Sequence, residues 1–149
     1  GLVTGRPPKI NLQDEKFCQS FLRDAISKNY IISSHDVSDG GLAIALSECC
    51  ILSSKGATIE LEEHYIRKDS LLFSEGGSRI IFSLNKKDEL KFLDFVNLKS
   101  KNFSQNMYVK KIGFVSKEYL NIIVEDKELC NIRVDELTKK FNNSLSSRF

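Results

Sequence analysis

The run HDVSDGGLA, residues 35–43, constrains the fold of this chain more than any other feature. A short β-rich run, Tyr30 to Ser34, precedes it. Leu42, Ala45, Leu46, Cys49 and Cys50 follow at the spacing of an apolar helix face. A strand must therefore hand over to a helix within a few residues. Gly40 and Gly41 supply the backbone freedom for that turn.

Other periodicities extend the pattern to both sides. Gly5, Pro7 and Pro8 mark an extended linker, residues 1–11, because proline restricts itself and its predecessor. Phe17, Phe21, Ala25 and Ile26 predict a first helix, with Asp14 and Glu15 in its first turn. Ala57 to Leu61 reads as a strand, Ser70 to Phe73 as a short helix or turn, and Ser78 to Leu84 as another strand. Leu90, Leu93 and Val96 predict a further helix. The stretch from Met107 to Val134 predicts three strands in a meander, turning near Lys117 and Asp126. Val134, Leu137, Phe141 and Leu145 predict a closing amphipathic helix. The expected fold is α+β: one layered domain over residues 12–149, with helices packed on a single mixed, largely antiparallel sheet.

Composition narrows the class. Lys and Arg number 22 against 20 Asp and Glu, a net charge of +2 that gives nucleic acid no basic face to bind. No segment is long and apolar enough to span a membrane as a helix. Four cysteines, Cys18, Cys49, Cys50 and Cys130, form no C-x-x-C pair, and His35 and His64 are the only histidines. The expectation is free, buried thiols in a reducing cytoplasm, not a zinc site. The missing initiator methionine points to a piece of a longer polypeptide.

Two segments could carry chemistry. In HDVSDGGLA, the amides at the start of the helix suit a phosphate, and the glycines would let a ligand approach closely. Asp36 could hold a Mg²⁺ ion bridging phosphate oxygens, and His35 could contact a phosphate or orient the loop. The same spacing fits a scaffold: Asp39 as a helix cap, the glycines as a turn, His35 as a structural histidine. There is no Walker lysine. In LLFSEGGSRI, residues 71–80, Glu75 and Arg79 flank Gly76, Gly77 and Ser78; Arg79 matches phosphate geometry. The alternative is a tight turn with a surface ion pair. No residue set supports a nucleophilic triad. Phe92, Phe95 and Phe103 read as packing residues.

The string ISSHDVSDGGLAIALSECC resembles a signature of the carboxy-terminal domains of the phosphoribosylformylglycinamidine synthase large subunit, within the aminoimidazole-ribonucleotide-synthetase superfamily. GLVTGRPPKINL, LLFSEGGSR, KKIGFVS and VDELTKKF resemble further segments of that domain, in the same order. The resemblance implies a layered α/β domain, partly ferredoxin-like. It also implies an ATP-dependent ligase that converts formylglycinamide ribonucleotide and glutamine-derived ammonia to the amidine, with ATP/ADP and Mg²⁺ as cofactors. Its implied partners are the remaining domains of the large subunit, a glutaminase and a small subunit. The resemblance carries over two positions, Asp36 on the metal and Glu75 on the substrate side. With His35, Asp39, Gly40, Gly41 and Arg79, which the residue types and spacing single out, these are the expected binding positions, with no catalytic residue. Gly76 and Gly77 stand where the family's substrate-binding copy has Ser and Gln. The resemblance therefore implies a structural or auxiliary-nucleotide domain. Two other readings accompany it: a different superfamily enzyme, of the thiamine-monophosphate kinase or selenophosphate synthetase type, and a stand-alone binding module.

Overall fold

Helix α1, Leu12–Ser27, begins where Asn11 can cap it: the Asn11 side chain accepts from the amides of Gln13 and Asp14. It ends where Asn29 turns left-handed (φ 56°) and the Tyr30 amide returns to the Ala25 carbonyl. That closure explains a shift in the first strand. Tyr30 belongs to the helix end, so strand β1 spans Ser33–Asp36 instead of beginning at Tyr30.

The computed structural model describes residues 9–62, 66–102 and 108–144. Most of the linker, His64, Phe103, Met107 and Leu145 lie outside the described residues. The chain divides into two compact units. The first takes the residues up to Ser38 together with Glu75–Lys110; the second takes Asp39–Ser74 and the chain from Lys111 onward.

In the first unit β1 pairs antiparallel with strand β3, Ile80–Ser83. Helix α4, Glu89–Ser100, follows a 3₁₀ turn at Lys86–Asp88. The core is aromatic. Phe21 and Ala25 of α1 meet Phe92 and Phe95 of α4, with Tyr30, Ile31 and Phe82 packed against them. The Phe21 and Phe95 ring centroids are 5.1 Å apart, and those of Phe82 and Phe92 5.3 Å. Each such pair adds about 0.5–1.5 kcal/mol beyond the area it buries. The face of α4 is in part the one expected: Val96 packs against this core, whereas Leu90 and Leu93 are exposed and the two phenylalanines point inward.

The second unit holds helix α2 (Gly41–Ser53), strand β2 (Ala57–Leu61), helix α3 (Lys68–Phe73), strands β4 (Gly113–Val115), β5 (Tyr119–Val124) and β6 (Lys127–Arg133), and helix α5 (Val134–Asn143). Its sheet has the order β4-β2-β5-β6. Leu120, Ile122 and Val124 alternate inward along the central strand β5 and are almost fully buried. Helix α2 packs against α3 and α5. Its Leu42, Ala45, Leu46 and Cys50 are buried as expected, Cys49 is half-buried, and Ala43 joins the buried set.

The α+β class and the mixed strand directions are as expected. Two details are corrected. Among the described residues there are two sheets, one of two strands and one of four, not a single sheet. The last three strands are not a meander, because β2 lies between β4 and β5, antiparallel to the first and parallel to the second. Only β5 and β6 form a consecutive antiparallel pair. Among the described residues no helix is long and apolar enough to cross a membrane.

Candidate functional site

The β1–β3 pairing joins the two segments singled out in the sequence. Register sets His35 opposite Ile81 and Asp36 opposite Ile80. The Val37 amide then donates to the Arg79 carbonyl at 2.9 Å, so the pairing runs up to the SEGGSR turn. At the far end the Ser33 and Ser83 hydroxyls are 2.6 Å apart and hydrogen-bonded. The end of HDV and the end of EGGSR therefore share one strand ladder within the first unit.

His35 Nδ1 lies 2.6 Å from the Asp36 carbonyl oxygen and 3.9 Å from the Asp36 carboxylate. Nδ1 therefore carries the proton toward that carbonyl, and the ring is held against its own strand. Its side chain is 23% exposed, against 76% for Asp36. Leu22, Ser34, His35, Asp36 and Ile80 line a shallow cleft of about 310 Å³. Among the described residues no group of three or more His, Cys, Asp or Glu side chains could enclose a metal by itself. A single open carboxylate fits Mg²⁺, which keeps several waters and shares its remaining ligands with phosphates.

The second polar turn is fastened from α1. Ser78 donates its hydroxyl to Glu15 Oε1 at 2.8 Å, and the Cys18 thiol approaches the Ser78 carbonyl at 3.8 Å. Burial, and secondly the Glu15 charge, push the Cys18 thiol up. Ser78 sits in the left-handed region at φ 59°. Arg79 is half-buried and Glu75 exposed. Sequence reading assigned Glu15 only to the helix dipole. The signal that it does more is three-dimensional, since 63 residues separate it from Ser78.

Asp39, Gly40 and Gly41 fall in the second unit. Gly40 occupies the N-cap of α2 with φ 78°, and no side chain caps it. Asp39 is exposed and is not the cap, because the left-handed glycine takes that position. Its charge still stands next to the positive end of the helix dipole. Gly41, at φ 71°, is forced by packing: a Cβ there would lie 2.7 Å from the Phe73 carbonyl carbon and 2.8 Å from the Ser74 oxygen. The two glycines thus serve the turn and the close approach of α3 to α2.

A strand pair that joins two polar turns, and a mixed sheet whose helix α2 starts on a glycine pair, give this chain an α+β architecture. The family model described as AIR synthase related protein, C-terminal domain, matches residues 4–106, and the chain belongs to that family. The resemblance read from the sequence is borne out. Phosphoribosylformylglycinamidine synthase subunit PurL of Prochlorococcus marinus strain MIT 9515 is 75% identical over 149 residues, covering 100% of this chain and 19% of that protein. The same subunit from strain MIT 9312 is 63% identical, again over 100% of this chain and 19% of its own length. The chain thus spans about a fifth of these relatives. Thermotoga maritima PurL complexed with FGAR superposes with a TM-score of 0.70 at 16% identity, over 83% of this chain and 21% of that one. T. maritima PurL complexed with ATP gives 0.69 at 16% identity, over the same shares of 83% and 21%. These two likenesses show the fold.

Proposed function

We propose that this chain works as a carboxy-terminal domain, residues 12–149, of a phosphoribosylformylglycinamidine synthase large subunit. The observation that carries the reading is 75% identity along the whole chain to a PurL subunit. The complete protein is then an ATP-dependent ligase of purine biosynthesis. It phosphorylates the amide oxygen of formylglycinamide ribonucleotide, and ammonia displaces the phosphate to give the amidine, ADP and phosphate. Its partners are the other domains of the subunit, a glutaminase that supplies the ammonia, and a small subunit. A T. maritima assembly named PurLQS supports partners of this kind. Its compartment is the cytoplasm.

Within this domain we assign a structural or auxiliary-nucleotide role. Asp36 would hold Mg²⁺, with His35 and Arg79 directed to phosphate oxygens and Glu75 beside them. In the second unit, Asp39, Gly40 and Gly41 would present the start of α2 to an anion. Bound Mg²⁺ would offset phosphate charge. T. maritima PurL structures complexed with ATP, ADP and AMPPCP support a nucleotide in the whole subunit. Gly76 and Gly77 offer no side-chain donors, which argues against turnover chemistry at this turn.

Asp36→Ala in the full-length protein tests the assignment. Bound nucleotide, released by denaturation and quantified, should fall more than kcat does. A steep loss of turnover with unchanged folding and nucleotide content would sink it.

A further inference from the structure

We infer that Glu15 is the positioning residue of the Glu75–Arg79 turn: its carboxylate occupies the space beside Gly77 and ties down Ser78. Three observations within the first unit converge on this. The Ser78 hydroxyl donates to Glu15 Oε1 at 2.8 Å. A Cβ on Gly77 would lie 2.5 Å from that same oxygen, and among the described residues, chain neighbours aside, only the Glu15 carboxyl lies within 4 Å. Ser78, a residue with a side chain, holds a left-handed backbone at φ 59°, a conformation that persists only where its surroundings enforce it. Gly76 is the contrast, since a Cβ there would meet nothing within 4 Å among the described residues.

The C-terminal end of the turn is thus held at two neighbouring residues. The Val37 amide holds the Arg79 carbonyl, and Glu15 holds the Ser78 hydroxyl. Together these two bonds fix the backbone direction at Ser78 and Arg79, and with it the direction in which the guanidinium leaves the chain. Glu15 needs only to accept a hydrogen bond and leave room at position 77. Its carboxylate is the far end of a flexible side chain. A side chain at Gly77 would therefore push the carboxylate aside and break the Ser78 bond, without straining the backbone of α1. The inference rests on the ligase reading only in giving Arg79 an anion to meet.

Amide hydrogen exchange of the full-length protein, read by mass spectrometry on the peptide spanning the turn, tests it without turnover or nucleotide. Glu15→Ala should speed exchange at residues 76–79 about tenfold, the effect of losing one charged hydrogen bond. Glu15→Gln, whose amide oxygen still accepts the hydroxyl, should restore protection. Ser78→Ala removes the bond from the other side and should match Glu15→Ala. Gly77→Ala should also match it, yet add nothing in the Glu15→Ala background. Unchanged exchange in Glu15→Ala, failure of Glu15→Gln to restore protection, or an equal effect of Gly77→Ala in both backgrounds would overturn the inference. Any of these three outcomes leaves the Asp36 test of the ligase reading standing, and failure of that test leaves this one intact.

Discussion

Four glycines in two short motifs meet four different surroundings, and the differences set measurable costs. Gly41 combines a left-handed backbone with a neighbouring main chain, at Phe73 and Ser74, that cannot move aside. Gly40 is also left-handed, but a Cβ there would meet Ile44 Cγ1 at 2.5 Å, the edge of a side chain that can rotate. Gly77 faces the Glu15 carboxylate, and Gly76 faces open space. The predicted order of destabilisation on substitution by alanine is Gly41, then Gly40, then Gly77, then Gly76. Gly41→Ala should lose about 3 kcal/mol, combining backbone strain with a main-chain clash. Gly40→Ala should lose ~1–2 kcal/mol, and Gly76→Ala should stay within about 0.5 kcal/mol. Denaturant unfolding of the four variants reads the order directly. A Gly41→Ala variant as stable as Gly76→Ala would mean that α3 does not approach α2 as described.

Helix α4 shows what periodicity can and cannot decide among elements. Its sequence, ELKFLDFVNLKS, carries more apolar positions than one face can bury, and Leu90 and Leu93 fit helical spacing with Val96 as well as Phe92 and Phe95 do. The partner elements settle the choice. Phe21, Tyr30 and Phe82 already supply aromatic surface, and rings pack against rings at 5.1–6.3 Å. Phe92→Ala should therefore cost about 3–5 kcal/mol, and Leu90→Ala less than about 0.5 kcal/mol. Equal thermal shifts for the two variants would contradict this core. The same limit explains the misread sheet. The strand at Ala57–Leu61 and the pair at Tyr119–Arg133 were legible from β-branched runs, but their partners were not. Periodicity reports which face a residue takes, and β2 reaches its place between β4 and β5 through contacts far apart in the chain. The candidate site was legible to the same depth. HDV and EGGSR could be read as polar turns from their residue types, whereas Glu15 became visible only when α1 brought it to Ser78.

For the molecule as a whole, charge and burial set how stability responds to pH. The half-buried pair Lys99–Asp24 and the exposed pairs Arg67–Asp69 and Arg133–Asp135 hold their carboxyls below the usual carboxylate range, chiefly through the side-chain hydrogen bond from each cation. A depressed carboxyl stabilises the fold above its ordinary value of 3.8, and that contribution fades only as pH falls below it. Exposed pairs of this kind contribute little. The alkaline side is different, because all four cysteines are free and burial pushes each thiol up. Cys50 on α2 is 3% exposed, and burial, with a lesser push from Cys49, raises its thiol to about 11. A raised thiol means that the folded chain keeps its proton where the unfolded chain has lost it. The contribution is complete below the ordinary value of 9.0 and is lost as pH rises through about 11. For Cys50 alone the rise from 9.0 to about 11 corresponds to roughly 3 kcal/mol. Stability by denaturant unfolding should therefore be level between neutrality and pH 9, then fall steeply toward pH 11. Tyrosine and lysine also titrate there, so Cys50→Ala is the necessary comparison. The variant should start lower at neutral pH, because a cavity replaces the sulfur, and should then decline less between pH 9 and 11. Parallel declines in the two proteins would show that the Cys50 thiol ionises without resistance, and so that α2 is not buried as the fold requires.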